Sequence, residues 1–390
     1  MMNKNKNSDR FIHLTLFFTF DISLEKWADT GLLHREILLY KELHKQKVFI
    51  QFLTYGDSAD RQWEGELEGI SLLPVYERIP RPRTKIVRFL QSVFIPWYFR
   101  EELRGTDLLK TNQLWGSWVA VITKFIFQKP LLIRCGYEFY DFSKKTGRSI
   151  IFRGFAFILS WFAYRSANLI HVATDSDRKI VKNDFRIPYT RIAKCPNWID
   201  TSLFAPKQCP LSQNLLFVGR LNDQKNLYLL LSALENTGIG LDVVGEGETR
   251  MALEAEANRL GLNVNFLGPL PNDQLAEIYQ NHKIYILCSR FEGNPKTLLE
   301  AMACGCAVIG TNVPGIKEII CHEESGLVVE ESAETLRTAI LLLWQNRQLR
   351  YNLGQRARQQ VEEQNSLESA VLKELEVYQE ICVSSVNIQK

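Results

Sequence analysis

Short apolar segments alternate with longer amphipathic stretches along the whole chain. Continuous apolar runs such as LLFVG, LDVVG and IYILC are typical of strands that helices cover on both faces. Since the stretches between them repeat apolar positions with helical spacing, the pattern predicts an α/β protein with parallel sheets. The predicted strands are 11–18, 48–54, 70–73, 107–112, 130–134, 168–172, 191–195, 214–219, 240–244, 264–267, 284–288, 306–310 and 326–329.

A polar loop at 196–213, which contains three prolines, interrupts this series. The strands on either side of the loop predict two doubly wound, Rossmann-like sheets. We therefore expect an N-terminal domain over 1–200 and a second domain over 201–365.

Helical periodicity dominates the chain from Ser332 to about Val383. This stretch is too long for one ordinary helix, so Asn346 and Asn365 are predicted to interrupt it. The remaining segment, 366–390, is treated as a separate C-terminal helix.

The composition is that of a globular protein. The chain has 390 residues, of which 46% are hydrophobic and 23% charged, and this excludes disordered, collagen-like and coiled-coil classes. We find neither a secretory signal nor an apolar stretch long enough to span a membrane, and the eight cysteines lack zinc-ribbon spacing. We expect a cytoplasmic protein with reduced, mostly buried thiols.

The net charge of +3 hides an asymmetry between the two halves. Residues 1–200 contain 31 Lys and Arg against 21 Asp and Glu, a net charge of +10. Residues 201–390 contain 16 against 23, a net charge of −7. The opposite signs predict two domains with different partners.

The densest polar motif, SRFEGNPKTLLEAMACG, follows the predicted strand 284–288 and opens a helix near Pro295. Backbone N–H groups at a helix start form an anion site when they lie at the carboxyl end of a parallel strand. Glu292 and Glu300 are placed to hold two sets of hydroxyls on one ligand. Taken alone, they are also explained as a loop acid and a solvated helix residue.

A second motif places Arg220 and Lys225 after the strand that ends at Gly219. Two cations at this position suit a diphosphate, although solvated surface cations are the alternative. The VGEG segment around Gly245 is weaker, because a plain turn explains it. Neither GxGxxG after the first strand nor GxxxxGK[ST] occurs, which disfavours a nicotinamide or P-loop site.

The order and spacing of these motifs resemble the retaining GT-B glycosyltransferases of family 4. That family has a strand followed by G-R-x4-K, then a VGxG turn, then E-x7-E; here these are GRLNDQK, VGEG and EGNPKTLLE. The match is dense over about 195–330 and includes the linker from Pro196 to Pro206. It implies two Rossmann-like domains that face each other across a cleft, with a last helix, about 366–381, that crosses back to the N-terminal domain.

The resemblance also implies roles for the site residues. Arg220 and Lys225 would stabilise the leaving diphosphate of a nucleotide-sugar donor, and Glu292, the third catalytic residue, would hold hydroxyls of the donor sugar. Glu300 would bind the ribose. The family needs no metal, so neither a metal site nor a cofactor besides the co-substrate is expected. The donor-binding residues implied are Gly219, Gly245, Gly293, Asn294, Pro295, Thr297 and Glu300.

The acceptor side matches the family more loosely. Gly31, Asn112 and Gln113 are the predicted acceptor-side residues, and Asn112 or Gln113 stands where the family usually has a histidine. No catalytic histidine is therefore carried over. His171, which ends a different strand, is expected to be a packed or hydrogen-bonded core residue.

Segment 78–100 has five cations between Arg78 and Arg88, followed by aromatic side chains and a sixth cation, Arg100, and it contains no acid. This composition predicts docking on an anionic membrane surface, assisted by the apolar stretch 150–164. Burial of the aromatic side chains under the N-terminal sheet is the alternative. No nucleic-acid partner is expected, because no DNA- or RNA-binding motif accompanies the cations.

The sequence thus predicts a retaining glycosyltransferase that moves a sugar from a nucleotide-diphosphate sugar to a glycan or lipid-linked acceptor in surface polysaccharide synthesis. The expected location is the cytoplasm, at the inner face of the membrane. A non-hydrolysing nucleotide-sugar 2-epimerase has the same architecture, but we find no acid–base constellation for it. A catalytically inactive sugar-binding relative is the other alternative, since the acceptor-side histidine is missing.

Overall fold

The computed structural model describes residues 11–208 and 211–388, so the polar segment 1–10, Cys209 and Pro210 lie outside the described residues. The chain forms two compact units. Unit 1 consists of Met1–Cys195 and Val371–Lys390, and unit 2 of Pro196–Ala370. These breaks fall close to the predicted domain limits at 200 and 365.

Unit 1 contains a seven-stranded parallel sheet in the order β3-β2-β1-β4-β5-β6-β7. Its strands are β1 (Ile12–Phe17), β2 (Val48–Thr54), β3 (Ser71–Pro74), β4 (Leu108–Thr111), β5 (Leu131–Cys135), β6 (Leu169–Val172) and β7 (Ile192–Lys194). Its helices are α1 (Leu24–Asp29), α2 (Leu33–Lys45), α3 (Val75–Arg78), α4 (Lys85–Ser92), α5 (Ile95–Tyr98), α6 (Arg100–Arg104), α7 (Ser117–Phe127), α8 (Phe139–Lys145), α9 (Ile150–Ser166) and α10 (Asp175–Phe185).

Unit 2 contains a six-stranded parallel sheet in the order β10-β9-β8-β11-β12-β13. Its strands are β8 (Asn214–Val218), β9 (Gly240–Val244), β10 (Val264–Gly268), β11 (Ile284–Leu287), β12 (Ala307–Thr311) and β13 (Leu327–Val329). The helices are α11 (Leu227–Leu234), α12 (Arg250–Arg259), α13 (Asn272–Gln280), α14 (Lys296–Ala303), α15 (Pro314–Lys317), α16 (Ala333–Gln345), α17 (Arg347–Gln364) and, mostly in unit 1, α18 (Leu367–Ile388).

The structure confirms each predicted strand and the α/β class. In β4, β9, β11 and β12 every residue is buried, as expected for strands that helices cover on both faces. The two predicted helix interruptions are also confirmed, because Asn346 separates α16 from α17 and Asn365 follows α17. Asn346 accepts a hydrogen bond from the N–H of Leu349 and so caps the helix that follows it.

A row of buried polar side chains crosses unit 1. Lys110 of β4 and His171 of β6 are joined there by Glu374 of α18, and none of the three is more than 2% exposed. The ammonium of Lys110 donates to Glu374 at 2.7 Å and to the hydroxyl of Tyr378 at 2.9 Å. Burial is the largest single effect and would raise the pKa of Glu374, but the charges of Lys110, His171 and Arg134 and the hydrogen bond from Lys110 together lower that pKa to about 2.

His171 is the packed core residue that was expected, and it is held by packing rather than by hydrogen bonds. Neither ring nitrogen has a hydrogen-bond partner within the described residues, and Nδ1 lies 3.8 Å from Glu374. Burial lowers the pKa of His171 to about 4, so the ring is neutral at physiological pH.

The buried ion pair should dominate the stability of unit 1. Glu374→Ala leaves Lys110 as an uncompensated buried charge, and we expect it to lower the free energy of unfolding by about 3–5 kcal/mol. The double variant Lys110→Met/Glu374→Leu removes both charges, so its free energy of unfolding should fall much less. Urea unfolding of the three proteins measures the difference, and equal losses in the single and double variants would contradict a dominant ion pair.

The neutral histidine predicts a pH dependence of stability. The pKa of His171 is depressed to about 4 from 6.5, so the unfolded chain binds a proton there that the folded chain does not. Stability should therefore fall as the pH drops from 6.5 to 4, by roughly 3 kcal/mol from this group. Glu374, with its lowered pKa, adds a further loss below about 4.5.

Urea titrations across this pH range test the assignment. His171→Leu should flatten the slope above pH 4.5, where Glu374 does not yet contribute. Parallel slopes in wild type and His171→Leu would mean that other groups cause the loss. Lys110, Arg134, Cys195 and Glu374 surround the ring and are the groups to examine next.

Candidate functional site

The residues predicted for the donor site lie at one edge of the sheet in unit 2. The neighbouring strands β8 and β11 end there at Val218 and Leu287. From β8 the chain continues to β9 on one side, whereas from β11 it continues to β12 on the other side. Such a reversal of strand order leaves a crevice at the carboxyl ends, and ligands bind there in doubly wound folds.

The loops after β8 and β11 are hydrogen-bonded to each other. The N–H of Arg290 donates to the carbonyl of Gln224 at 2.9 Å. The side-chain amide of Gln224 donates in return to the carbonyl of Phe291, also at 2.9 Å. The two motifs that the sequence analysis treated separately therefore form one structure.

Lys225 and Glu292 are in direct contact at the centre of this structure. The ammonium of Lys225 lies 2.5 Å from the carboxylate of Glu292, and their side chains are only 15% and 8% exposed. Ser289 donates to the same carboxylate oxygen at 2.6 Å. Arg220, in contrast, is exposed and has no ion-pair or hydrogen-bond partner within the described residues.

Close backbone packing explains the two glycines that follow β9. A Cβ on Gly245 would lie 1.9 Å from the carbonyl oxygen of Gly219, and Gly245 has a φ of +134°. A Cβ on Gly247 would lie 2.0 Å from the carbonyl oxygen of Leu221. These contacts require glycine whatever the site binds.

Glu300 is a buried side chain, so its interpretation as a solvated helix residue is wrong. It is 1% exposed and accepts a hydrogen bond from the hydroxyl of Tyr279 at 3.1 Å. Burial and the charge of Glu300 raise the pKa of Tyr279, which keeps this hydroxyl a donor. The side chain of Thr297, one turn earlier on α14, accepts a hydrogen bond from Tyr285 at 2.9 Å.

The segment from Gly293 to Pro295 holds the start of α14. Pro295 is the N-cap residue of that helix. The carboxamide oxygen of Asn294 accepts from the N–H of Asn197 at 2.8 Å, and the side chain of Asn197 donates to the carbonyl of Asn294 at 2.6 Å. The side-chain and backbone oxygens of Asn294 are thus both engaged by the linker, and its contact with a donor stays a prediction.

The predicted acceptor-side residues lie at the corresponding edge of unit 1. Asn112 and Gln113 follow β4, the neighbour of β1. Asn112 is 7% exposed, and the side chain of Gln113 accepts from the N–H of Gly136 at 3.2 Å. Gly31 is exposed after α1, has a φ of +67°, and donates its N–H to the carbonyl of Ala28 at 2.9 Å.

One group of side chains in the described part of the chain has the spacing of a metal site: His171, Cys195 and Glu374, whose ligand atoms lie within 4.8 Å of one another. Lys110 already neutralises Glu374 there. Burial raises the pKa of Cys195 to about 11, so its thiol is protonated. This group lies in unit 1, whereas the donor-side motifs belong to unit 2.

Sequence reasoning missed the residues that hold the predicted ones in place. Tyr279 lies in the amphipathic helix α13 and Tyr285 in the apolar run of β11, where their hydroxyls gave no separate signal. Gly315 was also missed, although a Cβ at this position would lie 1.8 Å from the carbonyl oxygen of Gly293. The spacing S-x-x-E from Ser289 to Glu292 was the one local signal that pointed to their hydrogen bond.

Comparisons with known proteins agree with this geometry. Residues 211–360 match the family "Glycosyl transferases group 1". An uncharacterized glycosyltransferase of Methanocaldococcus jannaschii is 29% identical over 168 residues, 43% of this chain; the chain spans only about half (48%) of that curated relative's length. The amylovoran biosynthesis glycosyltransferase AmsD of Erwinia amylovora is 30% identical over 292 residues, which are 72% of this chain and 79% of AmsD.

The fold is also that of solved glycosyltransferase structures. The Anabaena protein HepE, crystallised with UDP and glucose, superposes with a TM-score of 0.74 at 17% identity. The superposition covers 94% of this chain and 99% of HepE. Both sheets, their strand order and the match to AmsD lead to one conclusion: the chain belongs to the GT-B glycosyltransferases that carry a glycosyl transferases group 1 domain.

Proposed function

We propose that the protein is a retaining glycosyltransferase of family 4 that moves a sugar, of the hexosyl type, from a nucleotide-diphosphate sugar to a glycan or lipid-linked acceptor in surface polysaccharide synthesis. The contact between Lys225 and Glu292 at the ends of β8 and β11 carries this proposal. This contact supports the proposal, because a cation that suits a diphosphate and a carboxylate that suits sugar hydroxyls lie side by side at the strand ends where such folds bind nucleotides.

The pairing of Lys225 with Glu292 suggests how the site is kept ready for a donor. Each side chain is more than four-fifths buried and neutralises the other. A bound diphosphate would compete for Lys225, while Ser289 continues to orient Glu292. Arg220, exposed and unpaired within the described residues, is available as the second phosphate ligand.

In the proposed transfer the acceptor hydroxyl attacks the anomeric carbon on the face from which the diphosphate leaves. The bond between that carbon and the phosphate oxygen breaks, and its electron pair stays on the phosphate. Arg220 and Lys225 stabilise the growing negative charge. The leaving phosphate takes the proton of the acceptor hydroxyl, so neither a metal nor a further cofactor has a part in this scheme.

Two relatives support the choice of substrates. AmsD is named for amylovoran biosynthesis, which favours a polysaccharide pathway. HepE was crystallised with UDP and glucose, so UDP is the first nucleotide to test. A cytoplasmic location would give access to nucleotide sugars; among the described helices, none is long and apolar enough to span a membrane.

Nucleotide binding should depend on the cations after β8. We expect Arg220→Ala and Lys225→Ala each to weaken nucleoside-diphosphate binding roughly 10- to 100-fold, because a hydrogen bond to a charged group contributes about 1.5–3 kcal/mol. Thermal unfolding with UDP, GDP, ADP, CMP, dTDP and NAD identifies the ligand, and titration calorimetry then gives the dissociation constant.

Arg259→Ala is the matched control, since Arg259 ends α12 just before β10, at the opposite edge of the sheet. It should bind nucleotide like wild type. Glu300→Gln preserves the size of a side chain that is 1% exposed and should weaken binding if the carboxylate holds the ribose. An unchanged affinity in both cation variants, or stabilisation by NAD alone, would contradict the donor site.

Transfer should depend on Glu292 more than nucleotide binding does. Glu292→Gln keeps the hydrogen bond from Ser289 but removes the negative charge beside Lys225. We expect the transfer rate to fall by about 100-fold or more, with the affinity for free nucleotide changed only a few-fold. Donor consumption with and without acceptor, followed by chromatography, measures both.

The same assay separates the alternatives. Product that keeps the anomeric configuration of the donor, determined by NMR, supports the retaining transferase. Epimerised donor without acceptor would identify a 2-epimerase. Nucleotide binding without turnover of any donor would identify an inactive sugar-binding relative.

A further inference from the structure

Unit 1 exposes an apolar stripe along α4 and α5. Ile86, Val87 and Leu90 are 75%, 49% and 58% exposed, and Phe94 and Trp97 are 57% and 53% exposed. The alternative prediction for segment 78–100 is that its aromatic side chains are buried under the sheet. This is correct only for its inner side chains, such as Phe99. Contiguous exposed apolar side chains of this size mark an interaction surface.

A second stripe runs along α9. Ile150 and Ile151 are 84% and 86% exposed, and Ile158 is 66% exposed. Trp161 and Phe162 continue the stripe at 43% and 41%. The opposite side of the helix is buried in unit 1, so α9 presents an apolar face on both sides.

One cluster of aromatic rings joins the two stripes. Phe89 of α4 packs against Trp118 of α7, with ring centroids 4.8 Å apart. Trp118 contacts Trp115 at 5.5 Å, and Trp115 contacts Phe155 of α9 at 5.9 Å. The helices α4 and α9 therefore flank the start of α7, and we call their exposed residues together with α5 the apolar face.

The charges around the apolar face are positive. Neither 78–100 nor 142–174 contains an acid. Three of the cations predicted to contact a membrane are instead ion-paired within unit 1. Arg78 pairs with Glu102, and Arg81 and Arg88 pair with Asp21. The cations of these two segments that form no ion pair within the described residues are Arg83, Lys85, Arg100, Arg148, Arg153 and Arg165.

We propose that the apolar face docks on a lipid bilayer with anionic headgroups. Isoleucine and aromatic side chains would enter the interfacial region, and the unpaired arginines and Lys85 would contact the headgroup phosphates. Exposed isoleucine and aromatic side chains on helices whose segments contain cations and no acids have the composition of a surface that binds anionic membranes. The inference goes beyond the proposed transfer, since it depends only on the surface of unit 1.

The apolar face lies next to the predicted acceptor-side residues. Trp115, at the centre of the joining cluster, is two residues after Gln113, at the edge of the sheet where the predicted acceptor-side residues lie. A bilayer at the apolar face would therefore lie beside that edge. An acceptor anchored in the bilayer would reach it without leaving the lipid.

Co-sedimentation with vesicles tests the proposal. The full-length protein should bind vesicles of phosphatidylcholine mixed with phosphatidylglycerol and bind phosphatidylcholine vesicles at least about tenfold more weakly. Ile86→Asp/Ile151→Asp and Arg83→Glu/Lys85→Glu should each reduce binding to the anionic vesicles by about tenfold or more. High salt should weaken the binding as well.

Matched controls keep the test specific. Met251→Asp changes a residue of α12 that is 83% exposed, and Lys179→Glu/Lys317→Glu reverses two exposed lysines outside the apolar face. Both should bind vesicles like wild type. Melting temperatures and the nucleotide-induced melting shift show that each variant is folded, so loss of vesicle binding is separable from failure of the proposed function.

Three results would overturn the proposal. The first is no binding to either vesicle, and the second is equal binding to both. The third is a face that joins two copies of the chain: light scattering would then show a dimer that Ile86→Asp/Ile151→Asp converts to a monomer, without any vesicle binding.

Discussion

The donor side depends on the opposite directions in which the chain leaves two neighbouring strands of a parallel sheet. Because β8 continues to β9 and β11 continues to β12, the loops after β8 and β11 meet without covering each other. Residues that are 67 positions apart, Lys225 and Glu292, can therefore share one hydrogen bond. The cation and the carboxylate form an ion pair in a place where neither is well solvated.

Backbone contact, rather than side-chain chemistry, sets how closely the loop after β8 approaches the loop after β9, and how closely the loop after β11 approaches α15. Gly245 and Gly315 each bring a backbone within a distance at which any Cβ would collide. The two tyrosine hydroxyls then hold Thr297 and Glu300 from the protein interior. The site is thus positioned by groups that belong to the core, which suits a function that requires fixed geometry.

The elements of the fold were largely predictable, because buried parallel strands give continuous apolar runs and the two asparagines interrupt the last helices. Lys225 and Glu292, predicted for the donor side because they lie in glycine-containing loops at strand ends, do lie together in the structure, and their binding of a donor stays a prediction. Contacts between distant segments could not be predicted. No local pattern shows that Asn197 engages Asn294, that Glu300 is buried against Tyr279, or that Asp21 neutralises Arg88. For the same reason, the sequence did not show that three of the five cations in 78–88 are ion-paired and not free to contact a membrane.

The ion pair between Lys110 and Glu374 has a consequence for how the chain is made. Unit 1 is built from two stretches of sequence with all of unit 2 between them. On the ribosome, β4 is synthesised long before Glu374, and until Glu374 has left the exit tunnel the interior of unit 1 contains an ammonium with no counter-charge. Unit 2 is one continuous stretch of sequence, so its folding does not require a segment that is synthesised later. The segment made second is therefore able to complete its folding first, against the usual N-to-C order of domain folding during synthesis.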